Sequence, residues 1–108
     1  TNLSLHIHPL LKVAVNGVDI PIAGGIGVTP ACLAEVHTHE AGGTIHIEST
    51  SANRKFTVAD FYAVSGDTLE QEGFALVAKV NGQNKDNIAS YPLTDGDRIE
   101  LIYTSITE

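Results

Sequence analysis

His6-x-His8, His37-x-His39 and His46 account for all five histidines of this 108-residue chain, and none follows His46. Successive side chains of a β-strand point to opposite faces, so a spacing of two places both imidazoles of a pair on one side. Neutral imidazole is the commonest protein ligand for zinc, copper and nickel. Two same-face pairs and a fifth ring are enough to complete a first coordination shell. The pattern therefore points to a metal-binding domain. The competing accounts are an exposed polar face of hairpins and a pH-sensitive contact, and neither needs the rings to converge.

Convergence depends on the elements that carry the rings. A hairpin is expected from about Glu35 to Ser49. With Gly42-Gly43 as its turn, Ala41 faces Thr44, His39 faces His46 and His37 faces Glu48. Opposed residues have Cβ atoms about 4.5–5.5 Å apart, so three imidazoles and a carboxylate share one face. A four-residue turn at Glu40–Gly43 pairs His37 with His46 instead and keeps the same parity. The core of the expected site is thus His37, His39 and His46. His6 and His8 join it if the N-terminal segment lies beside this hairpin, or if a neighbouring subunit supplies them. Glu48 is a fourth ligand or the partner that fixes an imidazole tautomer; Glu40 and Glu35 are weaker candidates for those roles.

Cys32 is the sole cysteine, so no disulfide forms within the chain. It reads as a small buried thiol, a thiolate ligand or an intermolecular bridge. Imidazole-rich sites with little sulfur suit Cu(II), Zn(II) or Ni(II). Methionine is absent, which counts against a Cu(I) trafficking site. Copper is the first choice of ion and zinc the second.

The rest of the chain reads as a small α+β domain. Asn16-Gly17 joins Leu11–Val15 to Val18–Ile22 in a hairpin, because both turn positions need positive φ. Val15 then pairs with Val18, Val13 with Ile20 and Leu11 with Ile22, leaving Lys12 and Asp19 on the other face. One short helix is expected at Val58–Ser65, with Thr57 as N-cap, Asp60 closing a capping box and Gly66 as the stop. Phe56 and Phe61 are placed for a hydrophobic staple. Ala75–Val80 and Arg98–Thr104 read as strands, the second burying Ile99, Leu101 and Tyr103. This order suggests a β-grasp-like mixed sheet with one short helix. Residues 1–108 form a single domain in this reading, with an N-terminal strand or arm at 1–10 and an inserted His-bearing hairpin at 35–49.

Two resemblances accompany these readings. Val80-Asn81-Gly82, followed by Leu93-Thr94-Asp95-Gly96-Asp97-Arg98-Ile99-Glu100-Leu101-Ile102, resembles the end of the ubiquitin-like sulfur-carrier proteins. The chain finishes Ser105-Ile106-Thr107-Glu108 where those carriers have a Gly-Gly tail, so carrier chemistry is not implied. His6-Ile7-His8-Pro9, the Val-Asn-Gly hairpin, Cys32, His37-Thr38-His39-Glu40, Gly43–Ser49 and Phe56-Thr57 with Asp60-Phe61 resemble, in that order, a group of exported prokaryotic proteins of archaeal type. That likeness implies export and a unified histidine set, without naming a reaction.

Charge and motifs exclude several classes. Six basic and thirteen acidic residues give a net charge of −7, which repels a phosphate backbone and argues against a nucleic-acid partner. No apolar stretch reaches the ~18 residues of a membrane-spanning helix. The chain starts at Thr1 without a methionine, so the expectation is a removed or trimmed leader and an extracellular or cell-surface location. No Gly-x-Ser-x-Gly elbow or phosphate-binding glycine loop occurs. Cupredoxin spacing fails for want of Met, and cupin spacing fails because Glu40 and Glu48 are misplaced after His39. The expected function is non-catalytic storage or presentation of copper or zinc. A self-assembling structural subunit is the alternative, with metal bridging protomers and an exchanged N-terminal strand. A small metal-dependent enzyme with an open coordination position is the third.

Overall fold

The computed structural model describes residues 5–29, 32–33, 35–49 and 54–106. It is an α+β arrangement, mostly sheet, with one α-helix. The strands are β1 (Leu5–Ile7), β2 (Leu10–Val15), β3 (Val18–Ile20), β4 (Val28–Thr29), β5 (Cys32–Leu33), β6 (Val36–His37) and β7 (His46–Ser49). Helix α1 (Val58–Ser65) follows, then β8 (Phe74–Val80), β9 (Gln83–Asn84), a 3-10 turn at Ile88–Ser90 and β10 (Arg98–Ser105).

The larger sheet has the order β3-β2-β10-β8-β9. Its central pair, β2 and β10, is parallel and the other pairs are antiparallel, so the sheet is mixed. Register stacks the apolar positions: Ile99 lies beside Leu11 and Val80, and Leu101 beside Val13 and Ala78. Leu11, Ala78, Ile99, Leu101 and Tyr103 are buried on that face, together with Val58 and Phe61 of the helix. The period-two pattern of β10 is thus satisfied by one covered face.

The helix begins as its sequence dictates. The Thr57 side chain accepts from the Asp60 amide and the Asp60 carboxylate accepts from the Thr57 amide, a complete capping box. Phe56 and Phe61 flank the cap and are both buried. Gly66 closes the helix.

The first hairpin pairs Val15 with Val18 and Val13 with Ile20 as expected, and Lys12 lies 3.6 Å from Asp19 on the other face. The expected third pair, Leu11 with Ile22, does not form because β3 ends at Ile20. The Leu11 amide donates instead to the Gly43 carbonyl at 2.8 Å.

That bond ties the larger sheet to the loop between β6 and β7, which belong to a second, three-stranded sheet of order β1-β7-β6. The histidine-bearing segment takes the four-residue-turn register, with Val36 opposite Ile47 and His37 opposite His46. The two-residue turn at Gly42-Gly43 is not made, because residues 38–45 are engaged elsewhere. Ile45 donates to the Pro9 carbonyl at 2.9 Å, Leu10 bridges Thr44, and Gly42 donates to the Ile22 carbonyl at 3.3 Å. The loop is docked on the junction between β1 and β2.

Gly43 is required by that docking. Its φ is +88°, and a Cβ there would lie 2.1 Å from the Leu11 carbonyl oxygen. Gly43→Ala combines left-handed strain with a backbone clash and is expected to cost roughly 2–4 kcal/mol. Chemical denaturation should show a lower midpoint with an unchanged slope; an unaltered midpoint would show that this approach is unimportant.

Candidate metal centre

Strand β7 is the axis of the site. It pairs with β1 on one side, His6 opposite Glu48 and Ile7 opposite Ile47, and with β6 on the other, His37 opposite His46. Strand alternation sorts these residues. Leu5, Ile7, Val36, Ile47 and Ser49 turn to one face, where Ile47 has no solvent exposure. His6, His37, His46 and Glu48 turn to the other. His8 and His39 lie just beyond their strands with the same parity.

All five rings gather there. Ring centroids are 4.7 Å apart for His6 and His8, 4.9 Å for His8 and His46, and 4.5 Å for His39 and His46. His37 lies 4.6 Å from His39 and stacks on His46 at 5.6 Å. The Nε2 atoms of His37 and His39 are 3.2 Å apart. Glu48 Oε2 is 3.3 Å from His37 Nε2 and 3.8 Å from His6 Nε2. The donor atoms form two trios, each within 4.8 Å of one another: His6, His8 and His46, and His37, His39 and Glu48. Both trios have a composition that holds borderline divalent ions.

The electrostatics favour a neutral imidazole at His46, the form that coordinates a metal. Its pKa is lowered, first by partial burial, then by the neighbouring His39, His8 and His37; Glu48 opposes the shift.

His37 is fully buried because a loop is sewn over it. Thr38, between two histidines, donates its hydroxyl to the Ala23 carbonyl at 2.8 Å and accepts from the Ile26 amide at 3.1 Å. Its backbone exchanges bonds with Gly25 and Ile26 at 3.0 and 2.9 Å. Gly27 lets the loop come this close: with φ at +76°, a Cβ there would meet the Val36 carbonyl at 2.7 Å and His37 Cβ at 3.1 Å.

Asp95 is a contributor that the sequence reading missed. Its Oδ1 accepts from the His8 amide at 2.8 Å and lies 3.8 Å from His8 Nδ1. The Asp95-Gly96 turn leading to the last strand therefore also positions a ligand candidate. Only the Asp-Gly-Asp turn pattern marked it, and that pattern carries no sign of a histidine partner.

The other candidates lie apart. Glu35 pairs with Arg54 at 3.1 Å and belongs to neither trio. Glu40 is exposed and also outside both. Cys32 sits in β5, its backbone opposite Thr29; its side chain lies outside the described residues. No helix among the described residues is long and apolar enough to cross a membrane. No family model, curated protein or solved structure matches the chain, so the reading of the site rests on its geometry.

Proposed function

We propose that this chain is a metal-binding domain of β-grasp type, storing or presenting copper or zinc outside the cytoplasm. The observation that carries the reading is the convergence of five imidazoles and Glu48, from three separate segments, onto one face of the smaller sheet. A solvated polar face has no need of a buried His37 within 3.3 Å of a carboxylate and 3.2 Å of another imidazole nitrogen. The preference for copper over zinc comes from the nitrogen-rich donor set and the higher affinity of such sites for Cu(II); the absence of methionine counts only against Cu(I). The β-grasp assignment is supported by the parallel pairing of β2 and β10 at the centre of the mixed sheet. Export is proposed from the sequence alone. Strand exchange between subunits is not needed to complete the cluster, since β1 pairs with β7 of its own chain.

The test is a titration of the purified chain with Cu(II) and Zn(II), followed by calorimetry, elemental analysis and thermal unfolding. An ion that binds the folded state alone stabilises it by about 2.7 kcal/mol at a hundred times its Kd, so the unfolding temperature should rise with added metal. Affinity should fall steeply as the medium is taken below pH ~6, because protons compete for imidazole. A chain that binds neither ion at neutral pH, or that binds equally well at pH 5, would sink the proposal.

A further inference from the structure

The donor set is too large for one tetrahedral ion, and it falls into two groups. Imidazole nitrogen and carboxylate oxygen bind Zn(II) at about 2.0–2.2 Å, so two atoms on the same ion are at most about 4.4 Å apart. Six candidate ligands instead separate into two trios that share no member. Donors on a tetrahedral ion lie about 3.4 Å apart, so even the widest pair within a trio, inside 4.8 Å, closes on an ion by side-chain shifts of up to about 0.7 Å each. The trios also abut. Glu48 Oε2, in the inner trio, lies 3.8 Å from His6 of the outer one. His46, in the outer trio, has its ring 4.5 Å from that of His39 in the inner one.

Resting on the metal-binding reading above, we infer that this is a two-ion centre. His6, His8 and His46 hold one divalent cation, His37 and His39 hold the second, and the Glu48 carboxylate bridges them. The bridge has a physical reason. Two dications repel, and a shared anion between them offsets the repulsion that neutral imidazoles cannot. Asp95, beside His8, adds a second carboxylate on the outer side. The inner ion then has three protein ligands and keeps a position for solvent or a small anion, whereas the outer ion has four.

Cu(II) serves as the probe because two neighbouring Cu(II) ions report on each other magnetically. Elemental analysis and calorimetry of the full chain should give two ions per chain. Electron paramagnetic resonance should show an isolated-ion spectrum at low loading. At two equivalents it should broaden and gain a half-field transition. Glu48→Gln should weaken one of the two equivalents by at least about tenfold, as loss of a ligand or its partner does elsewhere, and abolish the half-field signal. The outer ion, which keeps three imidazoles where the inner one keeps two, should lose less than the inner one. His6→Ala, a change at an exposed side chain that does not threaten the fold, should weaken the outer ion alone. Saturation at one ion per chain, or two ions whose spectra stay isolated, overturns the two-ion centre and leaves metal binding intact. Binding of neither Cu(II) nor Zn(II) overturns both.

Discussion

Replacing His46 with alanine is expected to weaken metal binding by more than about 100-fold, a larger loss than the 10–100-fold typical of removing a residue behind a ligand. His46 sits between rings from both other segments. His46 lies against His8, His39 and His37, whereas His6 is in ring contact with His8 alone among the described residues. The variant should still fold, since His46 is partly exposed and its place in β7 depends on backbone pairing with His37. Competition against a chromophoric chelator measures the affinity, and thermal unfolding without metal checks the fold. Undiminished affinity in a folded His46→Ala chain would place the ion away from this cluster.

The second large effect is on stability. Asp97 is a buried carboxylate whose Oδ2 accepts from the Tyr91 hydroxyl at 2.8 Å and from the Thr94 hydroxyl and amide at 2.7 and 3.1 Å. Its Oδ1 accepts from Asn81 Nδ2 at 3.0 Å, and Asn81 Oδ1 in turn accepts from the Arg98 amide at 2.9 Å. Asp97→Ala removes several hydrogen bonds to a charged acceptor and should cost about 2–4 kcal/mol. A domain of this size loses about 4–8 °C of unfolding temperature per kcal/mol, so a fall of more than about 8 °C is expected by calorimetry. The same group sets an acid limit. Burial alone would raise the Asp97 pKa, but the bonds from Thr94, Tyr91 and Asn81 together leave it below the ordinary carboxylate value. The folded state then binds fewer protons than the unfolded one. Its contribution is complete above the unfolded carboxylate pKa of about 3.9 and is lost as the pH falls through the lower folded value. Asp97→Ala should flatten that part of the stability profile; an unchanged acid limb would assign it to other carboxylates.

Local chemistry made much of this fold readable. Asn16-Gly17 announced the first hairpin, Thr57 and Asp60 the start of the helix, and the alternation of Ile99, Leu101 and Tyr103 the buried face of β10. Each is a signal carried within a few residues. The pairing of β1 with β7 is different. It joins segments some forty residues apart, and nothing near His6 names its partner. For the same reason the turn at residues 40–43 left two registers open. The choice between them falls to the bonds that the Leu11 amide donates to Gly43 and the Ile45 amide donates to Pro9, which no reading confined to the hairpin contains. The site fared better than its surroundings because both registers keep His37, His39, His46 and Glu48 on one face. The burial of His37 under residues 23–27 and the hold of Asp95 on His8 are tertiary facts with no local mark.

The two sides of β7 carry a lesson about how such a chain can change over time. Ile47 fills the space between Ile7 and Val36, while His46 and Glu48 look the other way. Gaining or losing a single residue between Ile45 and Ser49 would turn isoleucine toward the imidazoles and push the carboxylate into the apolar face. Length can vary without that penalty in stretches where no ladder imposes parity. Descendants that keep this chemistry should therefore exchange one residue for another along β7 and confine their insertions to neighbouring loops.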